Sequence, residues 1–154
     1  MFRGRFSHTI DAKGRVSIPS GFRLELQTQS EQPPIVTNGE TNAGSCLWLY
    51  PHDDWCEFET RIQRHAAVDL DAQDYVRFMV GGSNPCPIDG QGRILLPALL
   101  RDHADLEREV MFVGVGSRIE LWNKAMFEEG HSKTQSDFQR IAAAVARLDS
   151  GGSG

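Results

Sequence analysis

Long apolar runs are missing from this 154-residue chain. No stretch approaches the roughly 18 consecutive apolar residues of a membrane-spanning helix, which excludes that element. The opening Met1-Phe2-Arg3-Gly4-Arg5 lacks an apolar signal-peptide core, so export is not expected. Cysteine is scarce. Cys46, Cys56 and Cys86 are odd in number and none sits at CxxC spacing, so reduced thiols are expected rather than a disulfide framework. His8, His52, His65, His103 and His131 are scattered, without HExxH or paired Cys/His spacing. Separate core or surface residues therefore fit better than a zinc site. His52 and Cys56 lie four apart, but two ligands do not make a site. Nucleophile elbow, phosphate loop and paired carboxylates at known spacing are also missing, so enzyme, cofactor and small-molecule substrate are not expected. Gly114-x-Gly116 lies between strand-like runs rather than opening a helix, which fits a turn and not a nucleotide site. Glu128-Glu129 reads as a solvated helix face.

Positive charge is in deficit too: 16 Lys and Arg stand against 21 Asp and Glu, a net charge of -5. At first sight this argues against a nucleic-acid partner, whose binders carry a basic face. The deficit is unevenly placed. Residues 1–23 hold Arg3, Arg5, Lys13, Arg15 and Arg23 against Asp11 alone, a local balance of +4. Residues 24–84 hold ten acids and three bases, a balance of -7. With screening over about 8 Å at physiological salt, the local patch decides which partner is attracted. Otherwise the composition is ordinary for a globular chain, and the length supports one domain or two very small ones.

What the chain does have is an internal repeat. Ile10-Asp11-Ala12-Lys13-Gly14-Arg15-Val16-Ser17-Ile18-Pro19 returns 78 residues later as Ile88-Asp89-Gly90-Gln91-Gly92-Arg93-Ile94-Leu95-Leu96-Pro97. Phe22-Arg23 aligns with Leu100-Arg101. Leu47-Trp48-Leu49-Tyr50 before Trp55 echoes Ile119-Glu120-Leu121-Trp122 before Phe127. Two copies of one unit explain this order of features.

Each unit has a physical reading. Asp-x-x-Gly is a turn signal, because Asp can hydrogen-bond the turn backbone and Gly accepts a positive φ. Val16-Ser17-Ile18 and Ile94-Leu95-Leu96 are short strand-like runs. Pro19 and Pro97 cannot donate to a ladder and should end them. Short helices are predicted at about 20–27 and 98–107. Two strands then follow in each unit, at Ile35–Thr37 and Leu47–Tyr50 across a longer polar loop, and at Val110–Val115 and Ile119–Trp122 across a tight Gly116-Ser117 turn. Trp55, Phe58 and Ile62 predict one helix face, and Tyr75, Phe78 and Met79 another, ended by Gly81-Gly82. Phe138, Ile141, Ala142, Val145 and Leu148 form an amphipathic stripe that must pack on its own domain or on a neighbouring subunit.

Asp-x-x-Gly-Arg-φ-x-φ-Pro (φ here an apolar residue) occurs twice, with Met1-Phe2-Arg3-Gly4 at the start and Leu49-Tyr50-Pro51 after the first strand pair. In these features the chain resembles the MraZ family, up to about residue 149, and each copy is similar to an AbrB-like swapped-hairpin DNA-binding unit. The resemblance implies an α+β fold, a mainly β core with flanking helices. In it, two AbrB-like units form one pseudo-dimeric, closed double-split β-barrel. It divides the chain into a first unit at 1–52, linking helices at 53–82, a second unit at 83–125, a C-terminal helical segment at 126–149 and a flexible tail at 150–154. It implies a bacterial transcriptional regulator of the division and cell-wall gene cluster. Such a regulator is cytoplasmic, nucleoid-associated, assembled into a ring-shaped homo-oligomer and bound to promoter direct repeats in double-stranded DNA.

Carried over position by position, the family motif Asp-x-x-x-Arg falls on Asp11 and Arg15, and again on Asp89 and Arg93. Arg15 is the first expected DNA contact and Lys13, at the turn tip, the next. Arg93 and Gln91 are their counterparts, and Gln91 departs from the basic tip. Arg3 and Arg5 match the family's basic N-terminal segment loosely. Asp11, Gly14, Pro19, Asp89, Gly92 and Pro97 are expected to be structural. Asp11 and Arg15 have a second reading as a pair that only sets the turn. The alternative function is a regulatory scaffold that binds protein, with DNA secondary.

Overall fold

The computed structural model describes residues 1–151. In chain order its elements are β1 (Phe2–Thr9), β2 (Arg15–Ser17), α1 (Ser20–Gln29), β3 (Ile35–Thr41), β4 (Gly44–Tyr50), α2 (His52–Ala66), α3 (Leu70–Met79), β5 (Asn84–Pro85), β6 (Arg93–Leu95), α4 (Ala98–His103), β7 (Glu109–Gly116), β8 (Ile119–Asn123), α5 (Lys124–Ser136) and α6 (Phe138–Gly151). Six strands form one sheet in the order β1-β7-β8-β4-β3-β5, and β2 pairs with β6 in a separate two-stranded ribbon. The six-stranded sheet carries the repeat: β1-β7-β8 from one end is matched by β5-β3-β4 from the other. The centre falls between β4 and β8, where Trp48 stands opposite Glu120 and its indole donates to the carboxylate at 3.1 Å.

The fold is mixed α and β, but the expected closed barrel does not form. Among the described residues β1 and β5 are free edges of an open sheet, and a single bridge, Ile10 to Val16, ties the edge strand to the ribbon. The reason lies in β5. It is two residues long, its second residue is Pro85 without an N–H, and Pro87 follows, so the ladder cannot run on into β6.

Period-two alternation puts Leu47, Leu49, Phe112, Ile119 and Leu121 on one sheet face, fully buried in a cluster with Val16 and Ile94 of the ribbon. The ribbon is thereby fastened over the sheet by its inward residues. On the other face Tyr50 meets Trp55 and Phe58 of α2 at ring separations of 5.4 and 5.7 Å. Trp122 meets Phe127 of α5 at 6.1 Å.

Several expectations shift. The N-terminal segment, read only as basic, is an eight-residue strand along the whole of β7, anchored by the edge-on packing of Phe2 and Phe6 against Phe22. The longer polar loop is a two-residue connection at Asn42-Ala43, because β3 extends to Thr41 and β4 begins at Gly44. Thr41 closes that connection by accepting from Ala43 N and donating to Gly44 O, both at 3.0 Å. Asn38, which looked like loop, and its strand neighbour Thr37 are both satisfied by the end of α3: Thr37 Oγ1 donates to Met79 O at 2.5 Å and Asn38 Nδ2 to Phe78 O at 3.1 Å. The helix expected to reach residue 107 stops at His103, where Asp105 takes a positive φ of 50°. Conversely, α1 runs two residues past its expected end. Of the expected tail, Ser150 and Gly151 continue α6, and residues 152–154 lie outside the described residues. On α6 itself Phe138, Val145 and Leu148 stay exposed.

Candidate nucleic-acid interface

The two repeated turns are built identically. In the first, Asp11 Oδ1 accepts from the backbone N–H of Lys13 and of Arg15, both at 2.9 Å, and Oδ2 accepts from Arg15 Nε at 2.7 Å. In the second, Asp89 Oδ1 accepts from Gln91 N and Arg93 N at 2.9 Å, and Oδ2 from Arg93 Nε at 3.0 Å. Gly14 N and Gly92 N donate back to the carbonyls of Asp11 and Asp89 at 3.0 Å. An aspartate at the start of the turn thus organises its backbone and aims its arginine in one stroke. The arginine backbone N–H is the chief cause that holds the Asp11 carboxyl well below the usual carboxylate range, at about 2, and it lowers Asp89 in the same way.

These aspartate hydrogen bonds within each turn coexist with a free arginine edge. Only Nε of each guanidinium is taken by the aspartate. Nη1 and Nη2 of Arg15 and Arg93 carry no hydrogen bond among the described residues. Lys13 and Gln91 stand exposed at the tips.

Glycine is required at both turns for two reasons. Gly14 has φ +90° and Gly92 has φ +77°, values that side chains disfavour. Space is also closed. A Cβ on Gly14 would come within 2.9 Å of the Arg101 guanidinium, and a Cβ on Gly92 would overlap that of Arg23. Each of these arginines comes from the helix of the other unit. The backbone is exchanged in the same sense: Ile18 N donates to Gly92 O at 3.0 Å and Leu96 N to Gly14 O at 2.9 Å. The sequence aligned Arg23 with Arg101 without disclosing that each packs on its counterpart's turn. Only the crossing of the strands reveals that. Pro19 and Pro97 follow the ribbon strands and stand at the N-caps of α1 and α4.

Between the turns lies the ribbon. Arg15 pairs with Leu95, Val16 with Ile94 and Ser17 with Arg93. Val16 and Ile94 point inward, so Arg15, Leu95, Ser17 and Arg93 share the outward face. Arg15 and Arg93 form one diagonal of it, about 7–8 Å apart for such neighbours. The fold thus brings four of the six expected contact residues, Lys13, Arg15, Gln91 and Arg93, to one ribbon and its two turns. It leaves Arg3 and Arg5 elsewhere, near the start of β1, about 20–26 Å along the chain from Asp11 at strand rise. Arg5 bonds His131 of α5 through Nη1 at 2.9 Å.

No three His, Cys, Asp or Glu converge to hold a metal ion among the described residues. His52 and Cys56 do share a face of α2, with the Cys56 sulfur 3.8 Å from a ring nitrogen, but no further ligand joins them. No helix among the described residues is long and apolar enough to cross a membrane.

Comparison with known proteins adds an independent line. A family model described as "MraZ protein, putative antitoxin-like" matches residues 1–78 and again 79–149. The chain is 40% identical over 149 residues to a transcriptional regulator MraZ of Thermoanaerobacter pseudethanolicus, covering 97% of this chain and 99% of that one. It is 40% identical to one from Alkaliphilus oremlandii (96% and 99% covered) and 39% identical to one from Moorella thermoacetica (97% and 99%). A duplicated turn, matched twice by one family model and along the full length of relatives named as transcriptional regulators, leads to one conclusion: the chain belongs to the MraZ family.

Proposed function

We propose that this chain binds double-stranded DNA in a sequence-dependent way, with the outward face of the β2–β6 ribbon in the major groove. The observation that carries this reading is the pair of turns that fix Arg15 and Arg93 through Nε while leaving the outer guanidinium edges free. A B-form major groove, about 12 Å wide, admits a two-stranded ribbon. An arginine fork there bonds guanine O6 and N7, or grips phosphate. Lys13 adds a point charge at one tip and Gln91 an amide at the other.

The family assignment and the names of the relatives support the rest of the reading: a transcriptional regulator that acts on promoter direct repeats of the bacterial division and cell-wall gene cluster, in the cytoplasm at the nucleoid. Self-association into a ring multiplies few contacts per chain into useful affinity, because the second contact becomes effectively intramolecular. The uncovered stripe Phe138, Val145 and Leu148 on α6 favours such assembly.

The test is Arg15→Ala, assayed by gel shift on DNA from upstream of the chain's own gene. Loss of one bidentate contact, about 1–3 kcal/mol, corresponds to roughly 5–150-fold weaker binding. Sedimentation should show unchanged assembly. Equal affinity of variant and parent at low salt would refute the site.

A further inference from the structure

The ribbon's outward face is not symmetric, and its asymmetry has a chemical direction. The 78-residue repeat maps Arg15 onto Arg93 and Ser17 onto Leu95. The pseudo-twofold axis runs through the central Val16–Ile94 pair. About that axis the arginine diagonal maps onto itself, whereas the other diagonal has a hydroxyl at one end and an isobutyl group at the other. Leu95 is 56% exposed between two buried neighbours, Ile94 and Leu96. It lies directly opposite Arg15 and two residues after Arg93 on the same strand face. A leucine held between two guanidiniums whose outer edges are free faces whatever polyanion those cations hold. In a major groove an apolar side chain has one complementary feature, the C5-methyl group of thymine. Ser17 can donate to or accept from any base edge and makes no such demand. The turn tips differ in the same sense, with Lys13 on one side and Gln91 on the other.

We infer that Leu95 is a specificity-determining residue that packs on a thymine methyl group, and that the Ser17/Leu95 difference makes each chain read a box with unequal halves. The inference rests on the DNA-binding reading proposed above. A two-fold symmetric ribbon would favour an inverted repeat. A ribbon with one apolar corner has a direction along the duplex, so its copies favour boxes that all point the same way.

The experiment is selection of bound duplexes from a randomised pool by the full chain, by Leu95→Ser and by Ser17→Leu, followed by titration of the selected duplexes. The parent chain should enrich an asymmetric box with a fixed thymine. Replacing that thymine with deoxyuridine, which lacks only the methyl group, should weaken the parent roughly fourfold, the worth of one buried methyl. Leu95→Ser should be indifferent to the replacement and select a more nearly symmetric box, and Ser17→Leu should acquire a second thymine. The deoxyuridine arm uses the unaltered protein, so it stands even where a variant folds poorly. The same thymine requirement in Leu95→Ser, or no deoxyuridine effect on the parent, would overturn the inference while leaving DNA binding intact. A Leu95→Ser chain with unchanged selectivity but altered sedimentation would overturn it as well, and would place Leu95 between copies of the chain. A parent that enriches no box would overturn both this inference and the DNA-binding reading.

Discussion

Two glycines in one turn should respond in opposite ways to the same substitution. Gly92 has φ +77°, and the site of its missing Cβ is occupied by the Arg23 guanidinium. Gly90, two residues earlier, has no positive φ, and nothing stands within 4 Å of where its Cβ would be. The first unit already carries Ala12 at the place equivalent to Gly90. Gly92→Ala combines a left-handed backbone penalty of about 1–2 kcal/mol with an overpacking penalty of about 1–3 kcal/mol. For a chain of this size each kcal/mol moves Tm by about 2–4 °C, so a fall of roughly 4–20 °C is expected. Gly90→Ala removes only unfolded-state freedom, about 0.4–1 kcal/mol, and should raise Tm by about 1–4 °C. Calorimetry or circular dichroism on the two variants and the parent decides it. A Gly92→Ala chain that melts within 1 °C of the parent, or a Gly90→Ala chain that falls as far as Gly92→Ala, would show that the turn is not under the double constraint of φ and Arg23.

The thiols offer a second check. Burial pushes Cys86 up to about 12 and Cys46 higher still, whereas Cys56 is exposed, so an alkylating reagent at pH 8 should label Cys56 alone in the native chain and all three after unfolding. Mass spectrometry of the labelled peptides reads this, and native labelling of Cys46 at the same rate would contradict the buried sheet face. For the turns, the Asp11 carboxyl is depressed from 3.8 to about 2. A group lowered on folding stabilises the native turn above its unfolded pKa, and that stabilisation is lost as pH falls through the folded value. The Asp11 contribution should therefore be complete above about pH 4 and vanish towards pH 2, with an NMR titration midpoint near 2. A midpoint near 3.8 would mean that the Arg15 backbone N–H does not hold the carboxylate in solution.

Much of this was legible in the sequence because turn chemistry is local. Asp, Gly and Pro at fixed offsets define a turn, its sharp bend and its end without reference to distant residues, so both copies of the motif are recognisable as written. The strands Val110–Val115 and Ile119–Trp122 were legible for the same reason, as apolar alternation bounded by Gly116. What was not legible depends on partners far along the chain. The eight-residue β1 hides because Arg3, Arg5 and Gly4 break its apolar pattern, and it is held by β7 more than a hundred residues away. Asn38 read as loop because the α3 carbonyl that satisfies it lies some forty residues on. Leu95 hides within the apolar run Ile94-Leu95-Leu96. Only its pairing with Arg15 shows that it faces outward.

The charge deficit takes on a different meaning in this geometry. Within each turn the aspartate cancels the arginine that it positions, so the first turn keeps one net positive charge, from Lys13, and the second keeps none. On the DNA-binding reading proposed above, affinity from phosphate neutralisation scales with the number of cations presented, so a single chain would have little of it. What the aspartates supply in exchange is orientation, because a guanidinium fixed at Nε can offer its outer edge to one base geometry and few others. A reader built this way gives up sequence-independent attraction in favour of directed contacts and must recover affinity by repetition along the DNA. On the proposed DNA-binding reading an acidic chain suits a repeated box: the balance of -7 across residues 24–84 would disfavour DNA wherever the ribbon's proposed contacts are absent.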